Sequence, residues 1–260
     1  MTSARGSNLL SLSNEVLLKV KAFVSCADEN NSLLFPQEAN FMDRPAATYH
    51  AVASSIEGFV QQVAVSYLSN GYFFFVQGWV PEGKDPHAVD DKLLEKYGIA
   101  ISKWSRARRK QAGLANMQYI RFGRLFLLMA THGKHKFFEE EKGTIKDARK
   151  TPLRAFGYAI SHRGGHSHVR IDLNEYKRLK AHLLGLAKHR ESSTIEMEFF
   201  TVPFEPYAPV RRQLINIWRA VNRLRKESGF NPISIECIRM RRQTKCHRPD
   251  IVTEIALQYR

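Results

Sequence analysis

Cysteines, long apolar runs and acidic residues are scarce in this 260-residue chain, and each shortage excludes something. Cys26, Cys237 and Cys246 are the only cysteines, too few for a disulfide-stapled secreted fold, so a reducing compartment is expected. Cys237, Cys246 and His247 could supply three zinc ligands, although their spacing matches no CxxC knuckle. No apolar stretch approaches the roughly 18 residues that a membrane span needs. The opening Met-Thr-Ser-Ala-Arg-Gly-Ser lacks the apolar core of a signal peptide, and neither end shows a lipidation signal. These shortages lead us to expect an intracellular protein, cytoplasmic or nucleoid-associated, with no membrane partner. Acid is the third shortage: 25 Asp and Glu stand against 40 Lys and Arg, for a formal net charge of +15. A cation set on a phosphate releases a condensed counterion, so this excess favours a nucleic-acid partner, DNA or RNA.

Enough apolar material remains to build a core. Hydrophobic residues make up 43% of the chain and aromatics 11%, which excludes wholesale disorder. The pattern divides into an N-terminal arm over 1–44, a first α+β half over 45–148 and a second over 149–260. In the first half, Tyr49, Val52, Ile56, Phe59, Val63 and Tyr67 recur at three-to-four spacing, predicting one long helix that ends at Asn70-Gly71. Tyr72–Val80 reads as a strand buried on both faces. Asp85-Pro86 starts a helix, with Asp as N-cap and Pro preset in the first turn. Ala115–Phe122 and Arg124–Thr131 form a hairpin around Gly123.

In the second half, Phe156–Ile171 predicts two strands joined by Gly164-Gly165. A helix follows, opening at Asp172. Thr194–Pro203 reads as a strand, Val210–Glu227 as a long amphipathic helix, Ile233–Met240 as a core strand and Ile251–Arg260 as an edge strand. Together the elements predict antiparallel sheets with helices on one face, as two ferredoxin-like or RNA-recognition-like halves would provide.

Two basic surfaces carry the nucleic-acid expectation. Lys103, Arg106, Arg108, Arg109 and Lys110 crowd around Trp104 without a local acid. On the predicted helix Val210–Glu227, Arg212, Arg219, Arg223 and Lys226 fall opposite the apolar stripe, and Arg241 and Arg242 extend the charge at the basic end Arg239–Arg248. The acidic block Glu139-Glu140-Glu141 reads as a solvated turn balancing nearby lysines.

Five of the ten histidines sit at two similar strand ends, Thr131-His132 with His135 and Ser161-His162 with His166 and His168. His166 and His168, two apart on a strand, point to one face and could hold a divalent ion together. Alternatively His132, His135, His162 and His166 converge as a zinc or general acid-base site. A third reading has the histidines join Lys134, Lys136, Arg163 and Arg170 on phosphate without turnover. The run Gly-Gly-His-Ser-His-Val-Arg-Ile resembles the His-hydrophobic-His strand of the HUH endonucleases, with Ser167 at the middle position. That family comprises rolling-circle initiators, relaxases and small tyrosine transposases. The resemblance implies Mg²⁺ or Mn²⁺ on His166 and His168 and a helical tyrosine that attacks a DNA phosphate. Tyr207, beside Arg211 and Arg212, is the better candidate nucleophile; Tyr176 lies on an apolar stripe. A structural RNA-binding component is a further reading of the charge.

Overall fold

The computed structural model describes residues 49–241. The N-terminal arm, Cys26, Arg242, Cys246, His247 and the stretch expected as an edge strand lie outside the described residues. The fold is α+β, with antiparallel sheets and helices, as expected. The described chain divides into two compact units: 49–53 with Phe74–Ile145, and Ser54–Phe73 with 146–241. The seam expected near residue 148 therefore falls at Ile145/Lys146, and the stretch after Ala53 belongs to the second unit.

The predicted long helix over 45–69 is shorter. Ala51 and Ala53 are extended and bond both sides of the Arg121 backbone, Arg121 N donating to Ala51 O at 2.8 Å and Ala53 N to Arg121 O at 2.7 Å. Helix α1 begins only at Ile56 (Ile56–Gln61), where the Ser55 hydroxyl accepts from Gly58 N, and runs on as a π turn and a 3₁₀ turn to Asn70. Gly71, at φ 89°, ends it in the left-handed conformation predicted there.

In the first unit, β1 (Phe74–Trp79) leads through α2 (Pro86–Lys96) and α3 (Lys103–Gln111) to β2 (Met117–Phe122) and β3 (Leu125–Ala130). Strand β3 lies between β1 and β2 and is antiparallel to both, so β1 and β2 run parallel. This is the split βαβ arrangement of ferredoxin-like folds. Strand β1 is covered on both faces along its length, Phe75 buried on one and Phe74 and Val76 packed against the core on the other, but Trp79 at its end is 55% exposed. Asp85 caps α2 as predicted, accepting from His87 N and Ala88 N. Asp90 is buried and takes Nε and Nη2 of buried Arg121, with Nη2 to Oδ2 at 2.7 Å, and the Tyr119 hydroxyl donates to the same carboxylate. Burial and Asp90 together hold the Tyr119 phenol well above its ordinary range. The short helix α4 (Phe137–Glu140) carries the acidic block. Glu140 pairs with Lys96 at 3.0 Å, and Glu141 accepts from Tyr97 and Thr144, so the acids brace α2 as well as balancing lysine.

The second unit opens with the two-residue strand β4 (Lys146–Asp147), and Ala148 N donates to Phe73 O at 2.8 Å. Strands β5 (Leu153–Ala155), β6 (Tyr158–Arg163) and β7 (His166–Ile171) form an antiparallel meander. Each turn between them has two residues at positive φ: Phe156 and Gly157 in the first, Gly164 and Gly165 in the second. Twin left-handed residues suit the right-handed twist of a two-residue hairpin. Phe156 adopts that conformation, at φ 51°, at a cost of about 1–2 kcal/mol. Its ring packs edge-on against Phe59 at 5.4 Å.

Three helices follow, α5 (Leu173–Leu186), α6 (Ser192–Phe200) and α7 (Ala208–Glu227). Helix α6 replaces the strand expected over Thr194–Pro203. Its buried residues, Ile195 and Phe199, are four apart and share a helical face, whereas strand alternation would bury every second side chain. Ile233–Met240 is not a strand either, apart from a 3₁₀ turn at Ile235–Cys237. Asn222 clamps the Ile233 backbone, donating to its carbonyl and accepting from its N–H, and Trp218 Nε1 donates to the same carbonyl. Side chains of α7 thus take the place of a strand partner. Arg225, 2% exposed, has no carboxylate among the described residues; its guanidinium donates to Ala187 O, Arg190 O and Asn231 O, closing the C-terminal end of α5.

Candidate nucleic-acid interface

Helix α7 is built so that its charge faces water. Tyr207 occupies its N-cap, Pro209 sits in the first turn, and Arg225 and Lys226 stand in the last turn, where the helix dipole favours cations. Val210, Leu214, Ile217 and Val221 bury one face. At 3.6 residues per turn, Arg212, Arg219, Arg223 and Lys226 fall within an arc of about 60° on the opposite face. All four are exposed, and among the described residues none is in an ion pair. They span about 21 Å along the axis, roughly six axial steps of one DNA strand.

Gln213 docks this helix against β7. Its side-chain oxygen accepts from Ile171 N at 2.8 Å and its amide donates to Ile171 O at 3.0 Å. Beside that joint, the outer face of the meander is cationic too. The register sets Arg163 opposite His166, Ser161 opposite His168 and Ala159 opposite Arg170, with Arg154 of β5 opposite Ala159. His166, His168, Arg163, Arg170 and Arg154 are all exposed. Arg154 was not anticipated; the alternation Leu153-Arg154-Ala155 marks it as outward, but only the register puts it in this row. Arg154 also reaches Asp172 at 3.3 Å.

The first unit carries the other basic surface. Ser102 caps α3, accepting from Ser105 N. Lys103, Arg108 and Lys110 are exposed, and Trp104 is 77% exposed, one helical turn before Arg108. Arg106 and Arg109 turn inward instead, donating to Ile99 O at 3.5 Å and Ala115 O at 3.2 Å, with each Nε buried. They anchor the helix. Arg241, the last described residue, is exposed.

The histidines divide between units and between faces. His132 and His135 lie in the first unit, and His162, His166 and His168 in the second. His132 is exposed, while the His135 ring nitrogen Nδ1 accepts from Phe137 N at 3.1 Å. His166 and His168 share the outer face, as expected. His162 pairs with Ser167 across the ribbon and so belongs to the inner face, its ring 4.7 Å from that of Phe73. Tyr207 lies near the inner face as well, beside the Tyr158 phenol, which burial foremost and Tyr207 in addition push up. The structure therefore does not gather Tyr207 with His166 and His168, or His162 with His166, on one face. Among the described residues no group of three or more His, Cys, Asp or Glu is placed to hold a metal. Cys237 is buried, its thiol donating to Ser234 O, and burial pushes it up to about 11, which disfavours the thiolate a metal needs.

Two histidines give a pH signature. Burial, then Arg109, lowers the proton affinity of His135; burial, then His166, lowers that of His162. The unfolded chain thus binds more protons than the folded one just below about pH 6.5, so stability is full above that pH and falls as each ring is forced to charge. Melting temperature should drop between about pH 7.5 and 5.5, with a shallower slope in His135→Asn, which keeps an acceptor for Phe137 N. An unchanged slope in that variant would remove His135 from the account.

No helix among the described residues is long and apolar enough to cross a membrane. No protein-family model and no curated protein matches the sequence.

Proposed function

We propose that this protein binds nucleic acid through its phosphate backbone, with the exposed stripe Arg212, Arg219, Arg223 and Lys226 as the principal contact. The observation that carries the reading is the stripe itself: four cations on one helix, exposed to solvent, none of them in an ion pair among the described residues even though Glu227 follows Arg223 by one turn. A surface serving solubility alone mixes signs. The row Arg163, His166, His168 and Arg170 adds donors beside it, and Trp104 with Arg108 on α3 offers a stacking ring next to a phosphate contact. The His pair acts here as a donor row. A strand-cleaving reaction of the HUH type would need a tyrosine on the same face.

The test is fluorescence anisotropy of labelled single-stranded and duplex DNA and RNA across a salt series. Four contacts give a slope of log affinity against log salt of about −3 to −4, so raising salt from about 50 to 200 mM weakens binding about 50- to 150-fold. Binding insensitive to salt would overturn the reading. In Mn²⁺ the strand should stay intact on a denaturing gel; scission with protein left on the 5′ end would replace this proposal with the nuclease.

A further inference from the structure

Helix α3 is docked in a way that leaves its one aromatic side chain unused by the fold. None of its residues is buried. Polar bonds hold it instead: Arg106 and Arg109 reach backbone carbonyls beyond the helix, and Asn116 Nδ2 donates to Arg106 O at 2.9 Å. Its C-terminal end is tied to the loop after β3, Ala115 N donating to Lys134 O at 3.1 Å and Lys134 N to Gly113 O at 3.0 Å. Gly133 permits that approach, because a Cβ there would stand 2.5 Å from Ala115 N. The helix is thus a fixed platform whose outward face plays no part in fixing it.

Trp104 occupies the middle of that face and, at 77%, is the most exposed large apolar residue among the described ones. By helical geometry Arg108 lies about 40° to one side of it and about 6 Å along the axis, and Lys103 about 100° to the other side. Both are exposed, as are Lys110 on the Lys103 flank and Lys134 in the loop. From Lys96 to Phe138 the sequence contains no Asp or Glu, and no ion pair among the described residues engages α3. An apolar protein partner would meet a ring fenced by unneutralised cations. A base between its own phosphates matches both features, offering a π face to the indole and an anion to each cation. In a duplex both faces of a base are covered by its neighbours, and a ring on a convex helix reaches one only by unstacking a step, at a cost in energy. An unpaired base presents its face without that cost.

We propose that α3 is a binding site for single-stranded nucleic acid, an unpaired base stacking on Trp104 while Arg108 and Lys103 take the phosphates on either side. This rests on the nucleic-acid reading above and names the strand form that reading leaves open. Single strands of DNA and RNA share the chemistry, since every base has a π face.

Anisotropy titrations of the full chain with labelled oligothymidylate, oligouridylate and a blunt DNA hairpin decide it, alongside Trp104→Ala and Trp104→Phe. Trp104→Ala should bind both single strands about 5- to 150-fold more weakly, the range for one lost stacking contact, and the hairpin within about twofold of wild type. The salt slope of the remaining single-strand binding should not change, because stacking releases no counterion. Trp104→Phe, which keeps a ring, should recover most of the loss. Circular dichroism should be the same for all three proteins, since the side chain is exposed. The tighter of the two single strands names the sugar, and either order supports the proposal. Unaltered single-strand affinity in Trp104→Ala, or an equal loss on the hairpin, would overturn it and leave the α7 contact standing. A wild type that binds none of the three would overturn both readings.

Discussion

Asp90→Ala lowers the stability of the first unit by about 3–5 kcal/mol, the range for stranding one member of a buried ion pair. The magnitude follows from what is left behind. Arg121 is buried and donates to Asp90 through Nε and Nη2, with Nη1 held by Gly123 O at 2.7 Å. Without the carboxylate, the buried guanidinium keeps only Gly123 O and loses its counter-charge, and the Tyr119 hydroxyl loses its bond to Asp90. Arg121 cannot swing out to water, because its own backbone is pinned between Ala51 and Ala53. Asp90→Asn, which keeps an acceptor but removes the charge, should cost less. Asp90→Leu combined with Arg121→Met should recover much of the loss, since well-packed apolar pairs often replace buried ion pairs at little cost. Urea unfolding followed by circular dichroism measures all three. A loss below about 1 kcal/mol for the alanine variant would show that the pair does not hold the unit together.

The second large effect concerns binding. Replacing Arg212, Arg219, Arg223 and Lys226 together by Gln should reduce the salt slope by about 3–4 and weaken nucleic-acid binding by about 100-fold at moderate salt. Stability should change little, because the four side chains are exposed and touch no ion-pair partner among the described residues. Loss of binding and loss of fold are therefore separable in one preparation. Neutralising Lys103, Arg108 and Lys110 on α3 should lower the slope by about 2–3 if that helix meets the same strand. An unchanged slope in the quadruple variant would move the contact off α7 altogether.

Helix α7 was legible from sequence because it is long and its two faces alternate at an unbroken helical period. The Asp85-Pro86 start and the Gly164-Gly165 hairpin were legible because their chemistry is local. Thr194–Phe200 was not. Its β-branched and aromatic content suits a strand, and only burial of Ile195 and Phe199 on one side reveals a helix. Ile233–Met240 is not the strand expected: it passes through a 3₁₀ turn at Ile235–Cys237, and Asn222 and Trp218 hold the Ile233 backbone in place of a strand partner, which no local pattern shows. Tyr49 and Val52 kept helical spacing by coincidence while their segment bonds to Arg121, some 70 residues away. At the interface, the outward cations of α7 and the shared face of His166 and His168 could be read from periodicity. Arg106 and Arg109 could not be told from their exposed neighbours, because the carbonyls that anchor them come from outside the helix. Asp90 looks like an ordinary surface acid in sequence. What distinguishes it is burial by distant elements.

The bond from Ala148 N to Phe73 O has a consequence for how such a chain could have arisen and how it can be taken apart. The second unit is interrupted in sequence by 74–145, yet the two points where that stretch leaves and returns are hydrogen-bonded neighbours. This is the geometry of a guest inserted into a host at a site where the host's ends already meet. The host could be made continuous by joining Phe73 to Lys146 through a short linker, whereas an excised guest would have to carry 49–53 along with 74–145. No single cut in the chain separates the two, because 49–53 and 74–145 of one unit alternate in sequence with 54–73 and 146–241 of the other.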